Sequence, residues 1–197
     1  MIKIAVTGNI GSGKTTVCRI FESLGIAVYY ADAEAKKLYA REDVRQATKA
    51  LFGEHIFDND NKLRSAELAE IVFSDPARLQ QLNNIIHPLV LDDFLAWTKE
   101  HAAEKYIIYE SALLFESGFS KYFNKRILIS TPENIAMSRV MHRDGISASD
   151  FQSRAKHQMK EEEKQKLADH IIYNDESLPL IPRVMELHEL IISQLSA

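Results

Sequence analysis

The segment GNIGSGKTT, which spans Gly8–Thr16, constrains the fold of this chain more than any other stretch of the sequence. It follows the apolar run Ile2–Thr7, which is typical of a β-strand, and it precedes an amphipathic pattern that is typical of a helix. The apolar positions of that pattern are Val17, Ile20, Phe21 and Leu24. Between a strand and a helix, the spacing G-x-x-x-x-G-K-T turns successive backbone N–H groups inward and adds the positive end of the helix. The sequence therefore predicts a loop that binds the phosphates of a nucleoside triphosphate.

Every residue of this loop is a candidate ligand of ATP. We expect the Lys14 ammonium to reach the β- and γ-phosphates and the Thr15 hydroxyl to bind Mg²⁺, while Thr16 adds a further phosphate contact. The ATP-binding candidates in the loop are Gly8, Asn9, Ile10, Gly11, Ser12, Gly13, Lys14, Thr15 and Thr16. A purely structural glycine-rich turn is the alternative, but such a turn would need neither the lysine nor the hydroxyl.

Apolar runs of strand length alternate with helical patterns along the chain. The predicted strands are Ile2–Thr7, Ile26–Tyr30, Tyr106–Tyr109, Ile127–Ser130 and His170–Tyr173. Strands that alternate with helices form right-handed crossovers and a sheet covered on both faces. The sequence therefore predicts a three-layer α/β fold of the P-loop nucleoside triphosphate hydrolase type, with a five-stranded, mostly parallel sheet and a final helix at about residues 180–195.

Two segments exceed what a simple crossover needs, within what we expect to be a single domain over residues 1–197. The first, at about residues 60–105, contains helix starts at Ser65, at Asp75-Pro76 and at His87-Pro88, and we interpret it as a helical insertion that binds the acceptor. The second, at about residues 139–168, is helical and rich in both signs of charge, which favours a lid.

Composition and charge exclude several classes of partner. The chain of 197 residues has a formal net charge of −4, so no global positive field attracts it to nucleic acid or to an acidic membrane. The lone Cys18 cannot form an internal disulfide, and the N-terminus lacks the pattern of a signal peptide. We expect a cytoplasmic protein that is a monomer or a weak homo-oligomer.

Two well-known classes of nucleotide-binding protein fit poorly. A Ras-type GTPase needs an N-K-x-D guanine reader, and the nearest match, Asn124–Ile127, lacks the aspartate. The run His142–Gly145 resembles the catalytic loop of protein kinases, but Ser149 stands where that loop has its metal-binding asparagine. Small-molecule kinases remain the best class.

Such a kinase needs a group that orients the acceptor hydroxyl and positive charge around the transferred phosphoryl group. Asp32 lies two residues beyond the second predicted strand, at the edge where open sheets bind ligands, and is a candidate base, although it could also be a helix N-cap. Lys36 follows one helical turn later and could address the same ligand or form a surface ion pair. Glu110 ends the third strand, where an acid could meet Mg²⁺ or the acceptor. Arg139 and Arg143 are four residues apart, which suits a joint grip on phosphate oxygens.

Taken together, these motifs resemble those of the dephospho-coenzyme A kinase family over most of the chain. The residues that carry the resemblance are the GNIGSGKTT loop, Ala31-Asp32, Phe52-Gly53, Arg78 through His87-Pro88, Leu113-Leu114-Phe115-Glu116, Arg139 with Arg143, Arg154 with Gln158, and Ala168-Asp169 with Asn174. The resemblance implies Mg-ATP as donor, the ribose 3′-hydroxyl of dephospho-CoA as acceptor, and a lid whose arginines close on ATP. Another small acceptor, such as a nucleoside, nucleotide or sugar, and a non-catalytic ATP-binding module remain the alternatives.

The resemblance also implies roles for individual residues. Asp32 corresponds to the catalytic base, which makes it a catalytic candidate together with Lys14 and Arg139. The implied acceptor-binding residues are Asp32, Lys36, His87, Glu110, Leu113 and Glu116, and Asn174 is placed near the adenine. Three positions depart from the family pattern: Lys36 replaces an arginine, Tyr30 replaces a frequent aspartate, and Glu110-Ser111-Ala112 replaces a common Asp-Val-Pro.

Overall fold

The computed structural model describes residues 1–195, apart from the side chain of Phe73. The chain forms two compact units: the first contains Met1–Tyr30 and the chain from Glu100 onward, and the second is Ala31–Lys99. The helices are α1 (Lys14–Ser23), α2 (Ala31–Leu38), α3 (Glu42–Phe52), α4 (Ser65–Ser74), α5 (Pro76–Glu100), α6 (Glu133–Asp144), α7 (Ala148–Ala155), α8 (Glu161–Leu167) and α9 (Leu180–Leu195), with 3₁₀ turns at Glu54–Ile56 and Phe119–Tyr122. Among the described residues, no helix has both the length and the apolar character needed to cross a bilayer.

The first unit is built on a five-stranded parallel sheet, as predicted. Its strands are β1 (Ile2–Thr7), β2 (Val28–Tyr30), β3 (Tyr106–Glu110), β4 (Lys125–Ser130) and β5 (His170–Tyr173), in the order β2-β3-β1-β4-β5. The central strand β1 pairs with β3 on one side and β4 on the other, and three consecutive residues, Ile4–Val6, have no exposed surface. A strand covered on both faces cannot alternate between apolar and polar residues, which explains why the strand runs look continuously apolar in the sequence.

Helices α1 and α9 complete the main core of this unit. Val17, Cys18 and Phe21 of α1 pack with the buried isoleucines of β1, β3 and β4. The buried positions of α9 are Val184, Leu187 and Ile191, and the Tyr106 hydroxyl lies 2.7 Å from Nδ1 of His188 on the same helix. The predicted final helix at about residues 180–195 is therefore confirmed.

The second unit is helical and begins at Ala31, whereas the predicted insertion began near residue 60. Arg78 links two of its helices, because its Nη1 donates to the carbonyl oxygen of Leu51 (2.6 Å) near the end of α3 and its guanidinium lies 5.9 Å from the Phe52 ring centre. The carbonyl groups at a helix C-terminus lack partners in the helix, so the Arg78 contact satisfies one of them.

The predicted helix start at His87-Pro88 is wrong, because α5 runs without interruption from Pro76 to Glu100. Proline inside a helix removes one hydrogen bond and costs about 3 kcal/mol. The buried side chains of α5 occur every four residues on both sides of Pro88, at Leu82, Ile86, Val90, Phe94 and Thr98. Burial of each large apolar side chain contributes about 1.5–3 kcal/mol, so a continuous apolar stripe outweighs the loss at the proline.

Candidate active site

The loop Gly8–Gly13 joins the end of β1 to the start of α1, and two of its glycines have no substitute. Gly11 and Gly13 have φ angles of 79° and 90°, in the left-handed region that side chains disfavour. A Cβ atom on Gly11 would lie 2.5 Å from the carbonyl oxygen of Ala136 in α6, and one on Gly13 would lie 2.3 Å from Nδ2 of Asn174. The loop therefore packs against other parts of the first unit as closely as bare backbone allows.

Lys14, Thr15 and Thr16 form the first turn of α1. The Lys14 ammonium donates to the carbonyl oxygens of Gly8 (3.0 Å) and Asn9 (3.4 Å), so the side chain lies back across the loop. Both threonines are exposed, which leaves their hydroxyl groups open to a ligand. A cation over the loop, free hydroxyls and the helix N-terminus together suit a polyphosphate anion.

Several buried polar atoms around the loop have no hydrogen-bond partner within the described part of the chain. They are Oγ1 of Thr7, Oδ1 of Asn9, Oγ of Ser12 and Nη1 of Arg139. Buried polar groups in folded proteins are nearly always satisfied, so a cluster of unsatisfied ones indicates a ligand position. The hydroxyl and guanidinium donors in this set could bond to phosphate oxygens, so the residues fit a bound nucleoside triphosphate.

The Ser12 carbonyl is held by two side chains from the end of the sheet. It accepts hydrogen bonds from Oγ1 of Thr131 (3.0 Å) and from Nδ2 of Asn174 (2.8 Å). Since a trans peptide is planar with its C=O and N–H opposed, the N–H of Gly13 must point away from both side chains. Thr131 follows β4 directly and was missed by sequence reasoning, although its place at the carboxyl end of a strand is the signal that singled out Asp32.

The two candidate arginines of α6 have different surroundings. Nη2 of Arg139 donates to Oε1 of Glu176 (3.0 Å) and to Oδ1 of Asn174 (3.5 Å), and its Nη1 lies 4.0 Å from where a Cβ on Gly13 would be. Arg143 instead bonds to its neighbour Asp144 through Nε (2.6 Å) and Nη2 (2.9 Å), and these bonds hold the pKa of Asp144 below its usual value. The structure thus brings Arg139 and Asn174 to the loop, whereas Arg143 contacts Asp144.

Glu110 lies at the carboxyl end of β3, in register with Val6 on one side and Tyr30 on the other, and only 5% of its surface is exposed. Burial, followed by the negative charge of Glu110, raises the pKa of the Cys18 thiol, and the charge of Lys14 opposes that rise. The charges of Glu110 and Lys14 therefore both act on the Cys18 thiol in α1. Burial also raises the pKa of Tyr30, which keeps this phenol neutral where the family pattern often has an aspartate.

The chemistry of these groups fits Mg²⁺. Within residues 1–195, no group of three or more His, Cys, Asp or Glu side chains is arranged to hold a metal ion alone. Magnesium in nucleotide sites takes only one or two protein ligands, keeps several waters and binds the phosphates of the substrate. The exposed Thr15 hydroxyl meets that requirement, and Glu110 provides a carboxylate at the carboxyl end of β3.

The segment after β3 connects to α8 through a buried lysine. Oε1 of Glu116 accepts from the Lys164 ammonium (2.9 Å) and from the N–H of Met159 (2.7 Å), and Lys164 also donates to the carbonyl of Ala112 (3.1 Å). Leu113 is half-buried in this segment. Glu116 is thus part of an ion pair with a buried partner. Lys164 could not be singled out from the sequence, because helix α8 contains both charge signs at adjacent positions.

Three candidates belong to the second unit. Asp32 and Lys36 both lie on α2, four residues apart and hence on one face as predicted, and both are exposed. The alternative role of Asp32 as N-cap is wrong, because α2 begins at Ala31 and Asp32 lies inside its first turn. His87 lies in the middle of α5, where burial lowers the pKa of its imidazole.

Comparisons with known proteins give a consistent result. The sequence profile of the dephospho-CoA kinase family matches residues 2–179. The dephospho-CoA kinase of Salinibacter ruber is 41% identical over 90% of this chain and 91% of its own length. A crystal structure of a Thermus thermophilus protein has 35% identity and a TM-score of 0.83 and covers 96% of each chain. The dephospho-CoA kinase of Campylobacter jejuni has 29% identity and a TM-score of 0.70 and covers 99% of this chain and 98% of its own.

Proposed function

This chain belongs to the dephospho-CoA kinase family, and we propose that it transfers the γ-phosphoryl group of ATP to the ribose 3′-hydroxyl of dephospho-CoA. The hydroxyl oxygen forms a bond to the γ-phosphorus while the bond to the β–γ bridging oxygen breaks, which yields ADP and coenzyme A. This reaction completes coenzyme A biosynthesis. The observation that carries the proposal is the loop Gly8–Thr16, with Lys14 laid across it and Arg139 beside Gly13.

On the donor side, Lys14 and Arg139 stabilise the charge that spreads over the transferred group. In the transition state the phosphoryl group resembles metaphosphate. Fixed positive charge and backbone N–H groups that face the phosphates therefore provide most of the catalysis. A bound Mg²⁺ would neutralise part of the negative charge of the triphosphate. Thr15 would hold the metal, with Glu110 at the carboxyl end of β3 as a second candidate ligand.

On the acceptor side, Asp32 is the base. Its carboxylate orients the 3′-hydroxyl and accepts its proton late in the transfer, since a loose transition state needs little early deprotonation. Lys36, His87 and Leu113 bind the remainder of dephospho-CoA. These roles are supported by the family motif and by the position of Asp32 directly after β2.

A direct assay tests the reaction. The purified chain is incubated with Mg-ATP and dephospho-CoA, and coenzyme A is sought by mass spectrometry. We expect one coenzyme A for each ADP, whereas turnover that prefers a nucleoside, nucleotide or sugar acceptor would assign a different kinase activity. Tight ATP binding without phosphorylation of any acceptor would indicate a binding module.

The proposal also includes a metal cofactor, a cellular compartment and an oligomeric state. Mg²⁺ is the expected cofactor, and EDTA should abolish turnover while added Mg²⁺ restores it. We place the protein in the cytoplasm as a monomer or weak homo-oligomer, without nucleic acid or membrane partners. Its sole cysteine, Cys18, is buried, which agrees with a fold that uses no disulfide.

A further inference from the structure

Gln158, in the turn between α7 and α8, contacts the phosphate-binding loop directly. Its Oε1 accepts a hydrogen bond from the N–H of Ile10 at 2.8 Å. An N–H in the middle of an irregular loop has no helix or sheet partner, so it must be satisfied by a side chain, by water or by a ligand. Gln158 supplies that partner from a position 148 residues away in the sequence.

Apolar contacts surround this hydrogen bond. The Ile10 side chain packs against a small core formed by Ala136, Val140 and Phe151 of helices α6 and α7. The adjacent Gly11 meets the carbonyl of Ala136 so closely that no side chain fits between them. The first half of the loop therefore rests on α6 and α7, and Gln158 fixes the direction of its backbone there.

Gln158 is itself held in place. Its N–H donates to the carbonyl oxygen of Ala155 at 2.9 Å, and the N–H of the next residue, Met159, donates to Glu116. Glu116 is paired with Lys164, which has no exposed surface. Because the buried Lys164 charge cannot leave Glu116 without a large desolvation penalty, the pair holds Glu116 in place for its contact with the turn that carries Gln158.

We propose that Gln158 is a positioning residue for the ATP site, which acts through the Ile10 N–H to hold the loop in its phosphate-binding conformation. The inference rests on the proposed function where it concerns catalysis. The effect of Gln158 on nucleotide binding can be measured without the reaction. A loop fixed before the nucleotide arrives loses less conformational freedom on binding, and this preorganisation tightens the complex.

The test replaces Gln158 with methionine, which keeps the length of the side chain but removes the acceptor. Gln152 offers a matched control: it is an exposed glutamine on α7 that bonds to Glu133 (2.6 Å) instead of the loop. We expect Gln158→Met to weaken Mg-ADP binding about tenfold by calorimetry, equivalent to about 1.4 kcal/mol. Gln152→Met should bind Mg-ADP like the wild type.

Amide hydrogen exchange provides the second measurement, on the ligand-free protein. Gln158→Met should accelerate exchange at Ile10, whereas Gln158→Glu retains an acceptor oxygen and should preserve the protection. If Gln158→Met leaves both the Mg-ADP affinity and the Ile10 protection unchanged, the inference is wrong. It is equally wrong if affinity falls while Ile10 stays protected, since Gln158 would then bind the nucleotide directly.

These measurements separate the inference from the proposed function. If the wild type binds Mg-ADP but forms no coenzyme A, the proposed reaction fails, and the Gln158 variants still decide the positioning role. Circular dichroism establishes that each variant is folded. Should Gln158→Met not fold, Gln158→Leu, which also lacks the acceptor, replaces it: faster exchange at Ile10 supports the inference, and unchanged protection overturns it.

Discussion

The Lys164–Glu116 ion pair can be used to measure how much stability is lost when a charge in a buried pair loses its partner. Lys164 is fully buried on α8, and its ammonium lies 2.9 Å from a Glu116 carboxylate whose side chain is 19% exposed. Lys164→Met keeps most of the side-chain volume but removes one of the two hydrogen-bond donors described for Glu116. The N–H of Met159 is the donor that remains. Removal of one partner from a buried pair costs about 3–5 kcal/mol because the remaining charge is uncompensated.

The partial exposure of Glu116 places the expected loss at the lower end, at about 3 kcal/mol. In a chain of this length, each kcal/mol lowers the melting temperature by about 2–4 °C, so we expect a decrease of about 6–12 °C. The measurements are urea unfolding and a thermal melt. Lys166, exposed two residues further along α8, provides the control, and Lys166→Met should change stability by less than about 0.5 kcal/mol.

A double variant separates the charge effect from packing. Lys164→Met with Glu116→Met removes both charges, and a buried ion pair can often be replaced by apolar residues with little loss. We therefore expect the double variant to be more stable than Lys164→Met alone. If Lys164→Met costs no more than Lys166→Met, or if the double variant simply adds two losses, the pair does not hold this region as described.

Three further predictions concern the site and the second unit. Asp32→Asn should lower kcat by about a hundredfold or more while Mg-ATP binding stays close to normal; near-normal turnover at saturating substrates would remove Asp32 as the base. Gly13→Ala should weaken Mg-ADP binding at least about tenfold by calorimetry, because its Cβ displaces Asn174, whereas Gly25→Ala, at a similar φ of 83° but with nothing within 4 Å, should bind normally. Burial in the folded state lowers the pKa of His87 below 6.5, so at acid pH the unfolded chain binds more protons than the folded chain. The contribution of His87 to the free energy of unfolding is therefore fully present above pH 6.5 and is lost as the pH falls below that value. Urea unfolding of His87→Gln at several pH values should therefore show a shallower acid-side decline than the wild type, and an unchanged slope would contradict this assignment.

The sequence predicted the sheet well because its strands carry an unmistakable signal. Runs such as Ile4–Val6 and Tyr106–Tyr109 are apolar at every position, which only a strand covered on both faces requires. Proline misled the prediction in α5, because local rules weigh the lost hydrogen bond at Pro88 but cannot weigh an apolar stripe that continues from Leu82 to Phe94. Local preference and tertiary burial conflicted there, and burial decided the outcome.

The candidate site was most directly predictable where one short motif encodes it. The loop Gly8–Thr16 carries its own spacing, so its position at the end of β1 could be read directly. Thr131 and Gln158 contribute to the same site through single hydrogen bonds from distant elements. A one-residue contact has no periodicity and no fixed spacing. The family resemblance singled out Gln158 together with Arg154, but the sequence did not indicate that Gln158 contacts Ile10 while Gln152 is bonded to Glu133.

The cations of the proposed donor site have partners within the protein. Lys14 is bonded to the carbonyl oxygens of Gly8 and Asn9, and Nη2 of Arg139 to Glu176, so both cations have a partner among the described residues, while Nη1 of Arg139 has none there. Glu176 is 63% exposed, and ion pairs of that kind contribute only about 0–1 kcal/mol. Arg139 can therefore exchange Glu176 for a phosphate oxygen at little cost, and the bidentate, charge-assisted bond that it can form with phosphate is stronger than the pair it leaves. We therefore expect nucleotide binding at this site to exchange weak internal partners for stronger external ones.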